Sequence, residues 1–169
     1  QQPVLMLAGS GTAGVEAIIV NTLSPGDRVL ALAGGKFGER MGEIAAAYGA
    51  SEDVMEVVPG QAADPDAVRE RIAQADYRAL LFVLNETSTG VQITSYPERR
   101  KGRLLAVDAT SGAGQIPVDF SKIDFYYFSP QKVFASEGGL YIAILSPQAI
   151  ERVKEVKELK RYIPVIMDF

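Results

Sequence analysis

Short apolar runs alternate with helical stretches along this chain, and the alternation limits the folds open to it. "VLMLAG" (4–9), "RVLALA" (28–33), "DVMEVVP" (53–59), "ALLFVL" (79–84), "LLAVD" (104–108), "DFYYFS" (124–129) and "LYIAILS" (140–146) read as strands. Most are continuously apolar rather than alternating, so both of their faces must be buried. Between them, 11–23, 37–49, 64–75 and 146–160 read as helices. Asp64 before Pro65 and Ser146 before Pro147 are N-cap and first-turn signals, and Gly49 is a C-terminal stop. "SPGD" (24–27) reads as a turn. Strands that alternate with helices predict an α/β fold, three-layer αβα, with a mostly parallel sheet.

What the chain lacks is as informative as what it has. With 169 residues, 47% hydrophobic and 22% charged, it is long enough for one domain with a real core. A net charge of −4 speaks against nucleic acid or an anionic membrane as partner. No run approaches the roughly 20 apolar residues of a membrane span. No basic region precedes the first apolar run, so no signal peptide is read and a cytoplasmic location is expected. The sequence contains no Cys, His or Trp. That removes thiolate catalysis, histidine bases and the commonest metal ligands, and no metal site is expected. Acid–base chemistry falls to Lys, Asp, Glu or Tyr, or to a cofactor. "QITSYPERRKGR" (92–103) reads as a polar surface connection. "RYIPVIMDF" (161–169) carries apolar residues with no evident partner element and reads as the start of a further segment.

Sheets of this kind bind ligands beyond the carboxyl ends of their strands. After the first strand, "GSGTAG" places Gly9, Gly11 and Gly14 in G-x-G-x-x-G spacing. Ser10, Gly11 and Thr12 could cradle a phosphate at the helix N-terminus, or the glycines could serve only packing. The second strand ends without the acidic residue that a dinucleotide fold needs for its ribose, which weakens a nucleotide-binding reading. Phe37 could stack on a flat ligand or belong to the core. "NETSTG" (85–90) could orient a ligand or form a hydrogen-bonded turn. Asp108 could meet a ligand nitrogen or cap its small-residue loop. Lys132, in "SPQKVFAS", could be a reactive amine or a solvated loop lysine.

Taken together, these groups match the needs of pyridoxal phosphate. Its aldehyde forms a Schiff base with a lysine, its pyridinium nitrogen wants a carboxylate, its phosphate a helix N-terminus and its ring a stacking partner.

The stretches "GSGTAGVEA", "NTLSPGDRVLALAGGKFGER", "NETSTGV", "VDATSGAGQIPVDF" and "YYFSPQKVFASEGGLYIAILSP" resemble the class V aminotransferases, fold-type I pyridoxal-phosphate enzymes. Within them the likeness is to the actinobacterial-type phosphoserine aminotransferases. The resemblance covers most of residues 5 to 164. It implies that Lys132 carries the Schiff base and the proton transfer, that Asp108 pairs with the pyridine nitrogen, and that Phe37 stacks on the ring. Thr87 would touch the ring hydroxyl side, and Gln131, Ser10, Gly11 and Thr12 would hold the phosphate. It further implies amino-acid and 2-oxo-acid substrates, a homodimer, and residues 1–160 as the large domain with 161–169 leading into a further segment. The implied reaction is amino transfer from glutamate to 3-phosphohydroxypyruvate. Serine–pyruvate or alanine–glyoxylate transamination, and a domain that binds cofactor without turnover, are the rival expectations. Cysteine desulfurases of the same class place a His before the lysine and carry a reactive Cys, and this chain has neither.

Overall fold

The computed structural model describes residues 2–93 and 95–169. Its elements, in chain order, are β1 (Val4–Ala8), α1 (Gly11–Thr22), β2 (Arg28–Ala33), α2 (Lys36–Ala47), β3 (Ser51–Glu56), α3 (Pro65–Ala73) and β4 (Ala79–Val83). They continue with β5 (Asn85–Glu86), β6 (Val91–Gln92), β7 (Leu104–Asp108), β8 (Phe125–Phe128), β9 (Leu140–Leu145), α4 (Pro147–Glu158) and a 3₁₀ turn at Val165–Met167. Seven strands form one sheet in the order β1-β9-β8-β7-β4-β2-β3. β9 pairs antiparallel with both β1 and β8, and the remaining neighbours are parallel. Six strands therefore point one way and their carboxyl ends share an edge. β5 and β6 form a small separate hairpin.

The central strands account for the continuous apolar runs. β4 is buried along its whole length, and β2 beyond its first residue. Side chains of alternate parity feed two core clusters. One lies under α1, α2 and α4 and includes Val15, Ile19, Met41, Phe125, Tyr127 and Val153. The other lies under α3 and the loop at 113–120 and includes Leu30, Val68, Phe82, Val107 and Tyr126. β3, at one edge, is partly polar and exposed, as an unshared edge strand can be.

Local chemistry sets the helix boundaries. Ser10, Asp64 and Ser146 each accept a backbone N–H at a helix start, with Pro65 and Pro147 opening α3 and α4. Gly49 takes a positive φ of 87° just beyond α2. α4 is tied back by Arg152, which donates to Asp27 at 2.7 Å and to the Thr22 carbonyl at 2.8 Å.

Two expectations change in detail. The 92–103 stretch does more than bridge: Arg99 donates at 2.5 Å to the buried Asp124, which also accepts from Ser146 Oγ and the Leu105 amide. The 161–169 tail has a partner after all. Its 3₁₀ turn packs on α1 and β1, and Asn21 donates to the Met167 carbonyl at 2.5 Å while accepting from the Phe169 amide. Tyr162, Val165 and Ile166 remain exposed.

Candidate active site

The loops at the common carboxyl edge of the sheet enclose two adjoining cavities. The larger, 160 Å³, is lined by Ser10, Gly11, Thr12, Phe37, Arg40, Asp108, Gln131 and Lys132, among others. The smaller, 60 Å³, is lined by Phe37, Asn85, Thr87, Asp108, Thr110, Ser111 and Lys132. Every residue that the resemblance assigns to the cofactor lines one or both. Phe37, Asp108, Thr110 and Lys132 are common to the two.

The turn from β1 to α1 forms one wall. Gly9 has a φ of 147°, which favours glycine. Ser10 caps α1 by accepting the Ala13 amide at 3.3 Å, which leaves its own hydroxyl proton free to donate. The amides of Gly11 and Thr12 open the helix, where no intrahelical acceptor exists. Both point of charge and donor supply suit an anion. A Cβ on Gly11 would stand 2.8 Å from Thr110 Oγ1, so glycine is what admits this approach. Gly14 serves packing instead: its Cβ would lie 2.8 Å from the Tyr127 ring. The glycine pattern thus divides between a cavity-lining turn and a helix–sheet contact.

Phe37 stands at the start of α2, partly exposed, with the Arg40 guanidinium 5.7 Å from its ring centre. The "NETSTG" turn holds it there. Glu86, only 2% exposed, accepts from the Phe37 and Gly38 amides and from Ser88. Thr89 donates to the Gly34 carbonyl at 2.9 Å. Most of this turn is therefore a hydrogen-bonded cap, and Thr87 is the exposed member that faces the smaller cavity.

Asp108 ends β7. Its Oδ1 accepts the Thr110 amide at 2.8 Å. Burial pushes its carboxyl above the usual carboxylate range and Glu86 adds to the rise, while the Thr110 amide opposes it. Thr110 Oγ1 is buried with no hydrogen-bond partner among the described residues. Gln131 accepts from Ser129 Oγ through its carbonyl oxygen, which leaves its amide NH₂ as donors. Lys132 is not buried. It stands exposed in the turn beyond β8, reaching both cavities, with no ionic partner among the described residues. Sequence reasoning missed Arg40, Thr110 and the capping role of Glu86. Arg40 and Thr110 follow Phe37 and Asp108 at helical and turn spacing, and that proximity was the available signal.

Among the described residues no helix is long and apolar enough to cross a membrane. Residues 2–163 match the profile of the family described as Aminotransferase class-V. The fold and the arrangement at its strand ends agree, and the chain belongs to the class V aminotransferases. The phosphoserine aminotransferase of Rhodococcus opacus (strain B4) is 48% identical over 103 residues, which is 60% of this chain and 28% of that protein. The soluble hydrogenase 42 kDa subunit of Anabaena cylindrica is 38% identical over 174 residues, 96% of this chain and 45% of that one. The crystal structure of alanine–glyoxylate aminotransferase from Nostoc sp. superimposes with a TM-score of 0.86 at 29% identity, covering 99% of this chain and 46% of that one. The chain thus spans less than half the length of these relatives.

The residues present fit pyridoxal phosphate. The Gly11–Thr110 approach shapes a cradle that a side chain at residue 11 would fill, and the orphaned Thr110 hydroxyl stands against Gly11 in a residue that lines both cavities.

Proposed function

We propose that this chain is the cofactor-bearing large domain, residues 1–160, of a pyridoxal-phosphate aminotransferase, with 161–169, packed on α1 and β1, as the start of a further segment. One observation carries the reading. A lysine amine, a carboxylate, an aromatic ring and an open helix N-terminus line the same 160 Å³ cavity.

Each residue then has one task. Ser10, Gly11, Thr12 and Gln131 bind the phosphate as donors. Phe37 packs on one ring face. Asp108 pairs with the ring nitrogen and keeps it protonated, and Thr87 approaches the hydroxyl side. When bound, the cofactor supplies an electron-withdrawing ring that stabilises negative charge at the substrate Cα. Lys132 Nζ would hold the cofactor's aldehyde carbon and, as a free amine, would carry a proton to and from the substrate Cα.

Phosphoserine is the substrate that the 48% identity to a phosphoserine aminotransferase supports, with 2-oxoglutarate proposed as the amino acceptor. A second reading, alanine–glyoxylate transamination, is favoured by the superposition that covers 99% of the chain. Homodimer formation and a cytoplasmic location belong to the proposal, tested by sedimentation and cell fractionation.

The test is a visible spectrum with added pyridoxal phosphate, borohydride reduction and peptide mapping. We expect a coloured complex and a covalent label on Lys132, absent from Lys132→Ala. A folded chain without that label overturns the reading. Bleaching of the band by phosphoserine and not by alanine selects the first substrate class, and the reverse selects the second.

A further inference from the structure

We propose that the Tyr127 hydroxyl is a positioning group for Asp108, holding its carboxylate ionised from beneath the site. Residues 108 and 127 are partners in the parallel register of β7 and β8, and Ala109 donates its amide to the Tyr127 carbonyl at 2.8 Å. In a parallel pair, partnered side chains stand on the same face of the sheet. Tyr127 belongs to the core cluster under α1 and α2, and Asp108 lines the cavity on that side. Tyr127 is 0% exposed, and its hydroxyl closes no hydrogen bond among the described residues. A buried hydroxyl left without a partner is costly, so the neighbouring carboxylate is its natural acceptor. The absence of a side chain at Gly14 makes room for the ring in this position.

The physical need is plain. A carboxylate that faces a ring nitrogen must carry its charge, yet burial favours the neutral acid. Donors to the charged form oppose that tendency. Asp108 accepts the Thr110 amide from its own loop, and the unpartnered Tyr127 hydroxyl stands beside it on the adjacent strand. The other charged groups facing it are Glu86 on β5, which works against ionisation, and Lys132 and Arg40 across the cavity. Asp108 conversely raises the phenol's own pKa, after burial, as an acceptor should. The role rests on the reading of Asp108 as partner to the ring nitrogen. The coupling between the two side chains can be measured without cofactor.

The experiment follows the Asp108 carboxyl carbon by NMR through a pH titration of the cofactor-free chain, assigned with Asp108→Asn. Tyr127→Phe removes the hydroxyl and leaves the ring. Its Asp108 midpoint should move to higher pH. Tyr141→Phe removes another fully buried, unpartnered hydroxyl and should leave the midpoint in place. An unmoved midpoint in Tyr127→Phe, or an equal movement in Tyr141→Phe, overturns the proposal. Should Tyr127→Phe fail to fold, the unaltered chain answers instead. Its Tyr127 hydroxyl proton should shift as Asp108 titrates, and a resonance that ignores that titration overturns the proposal. Lack of a borohydride label on Lys132 together with a moved midpoint would sink the cofactor reading and leave the coupling standing.

Discussion

Glu86 closes the N-terminus of α2 from the loop beyond the neighbouring strand β4: its Oε2 accepts the Phe37 amide at 3.1 Å and the Gly38 amide at 3.0 Å. A buried carboxylate here meets the positive end of the helix dipole. Phe37 therefore owes its place to a residue on a different loop. Glu86→Ala leaves two backbone donors unpartnered and should cost about 3 kcal/mol. Glu86→Gln keeps one acceptor oxygen and should cost less. Urea denaturation of both variants gives the comparison, and equal midpoints would show that the cap contributes nothing.

A second buried carboxylate holds the opposite edge. Asp124, whose side chain is 0% exposed, joins Arg99, Ser146 at the start of α4, and the Leu105 amide in β7. Its removal strands donors from three parts of the chain at once. Asp124→Ala should lower stability by about 3–5 kcal/mol, the range for breaking a buried ion pair. Denaturant midpoints read this directly, and a loss under ~1 kcal/mol would mean that water replaces the carboxylate.

Lys132 gives the contrasting case. It is exposed and without an ionic partner among the described residues, so the fold does not depend on it. Lys132→Ala should change stability by no more than about 0.5 kcal/mol while abolishing the borohydride label. A large stability loss would instead give the lysine a structural task.

The strands and the site loops were legible because each depends on local pattern. Continuous apolar runs mark β2, β4 and β7, and the cavity-lining residues lie just beyond strand ends, a position that sequence alone specifies. The cap on α2 was not legible. "NETSTG" could be a ligand loop or a turn until β4 and β2 were known to be neighbours, which brings Glu86 to Phe37. Arg99 was hidden for the same reason: its segment looks like a surface connection until Asp124 is placed beneath it. Gly14 also kept its meaning from view, since only the strand order puts Tyr127 against it. The tail at 161–169 lacked a visible partner because Asn21, which anchors it, reads as an ordinary polar residue in a helix.

Asp108 should be kept at a cost in stability. Its pKa in the folded chain lies above the ordinary value of 3.8, chiefly through burial. A carboxyl raised in this way binds its proton more tightly when folded than when unfolded. As pH rises from the unfolded value through the folded one, the folded state therefore loses stability relative to the unfolded. Above both values the penalty is complete, and below 3.8 it is absent. Asp108→Asn keeps an oxygen to accept the Thr110 amide and removes the charge. The cofactor-free variant should thus be more stable than the unaltered chain at neutral pH, with the advantage fading as pH falls through the folded pKa and gone below the unfolded one. Thermal or urea denaturation at neutral and acid pH measures both limits. A variant that is less stable at neutral pH would mean that the ionised carboxylate is fully compensated by its neighbours, with the Thr110 amide foremost among them.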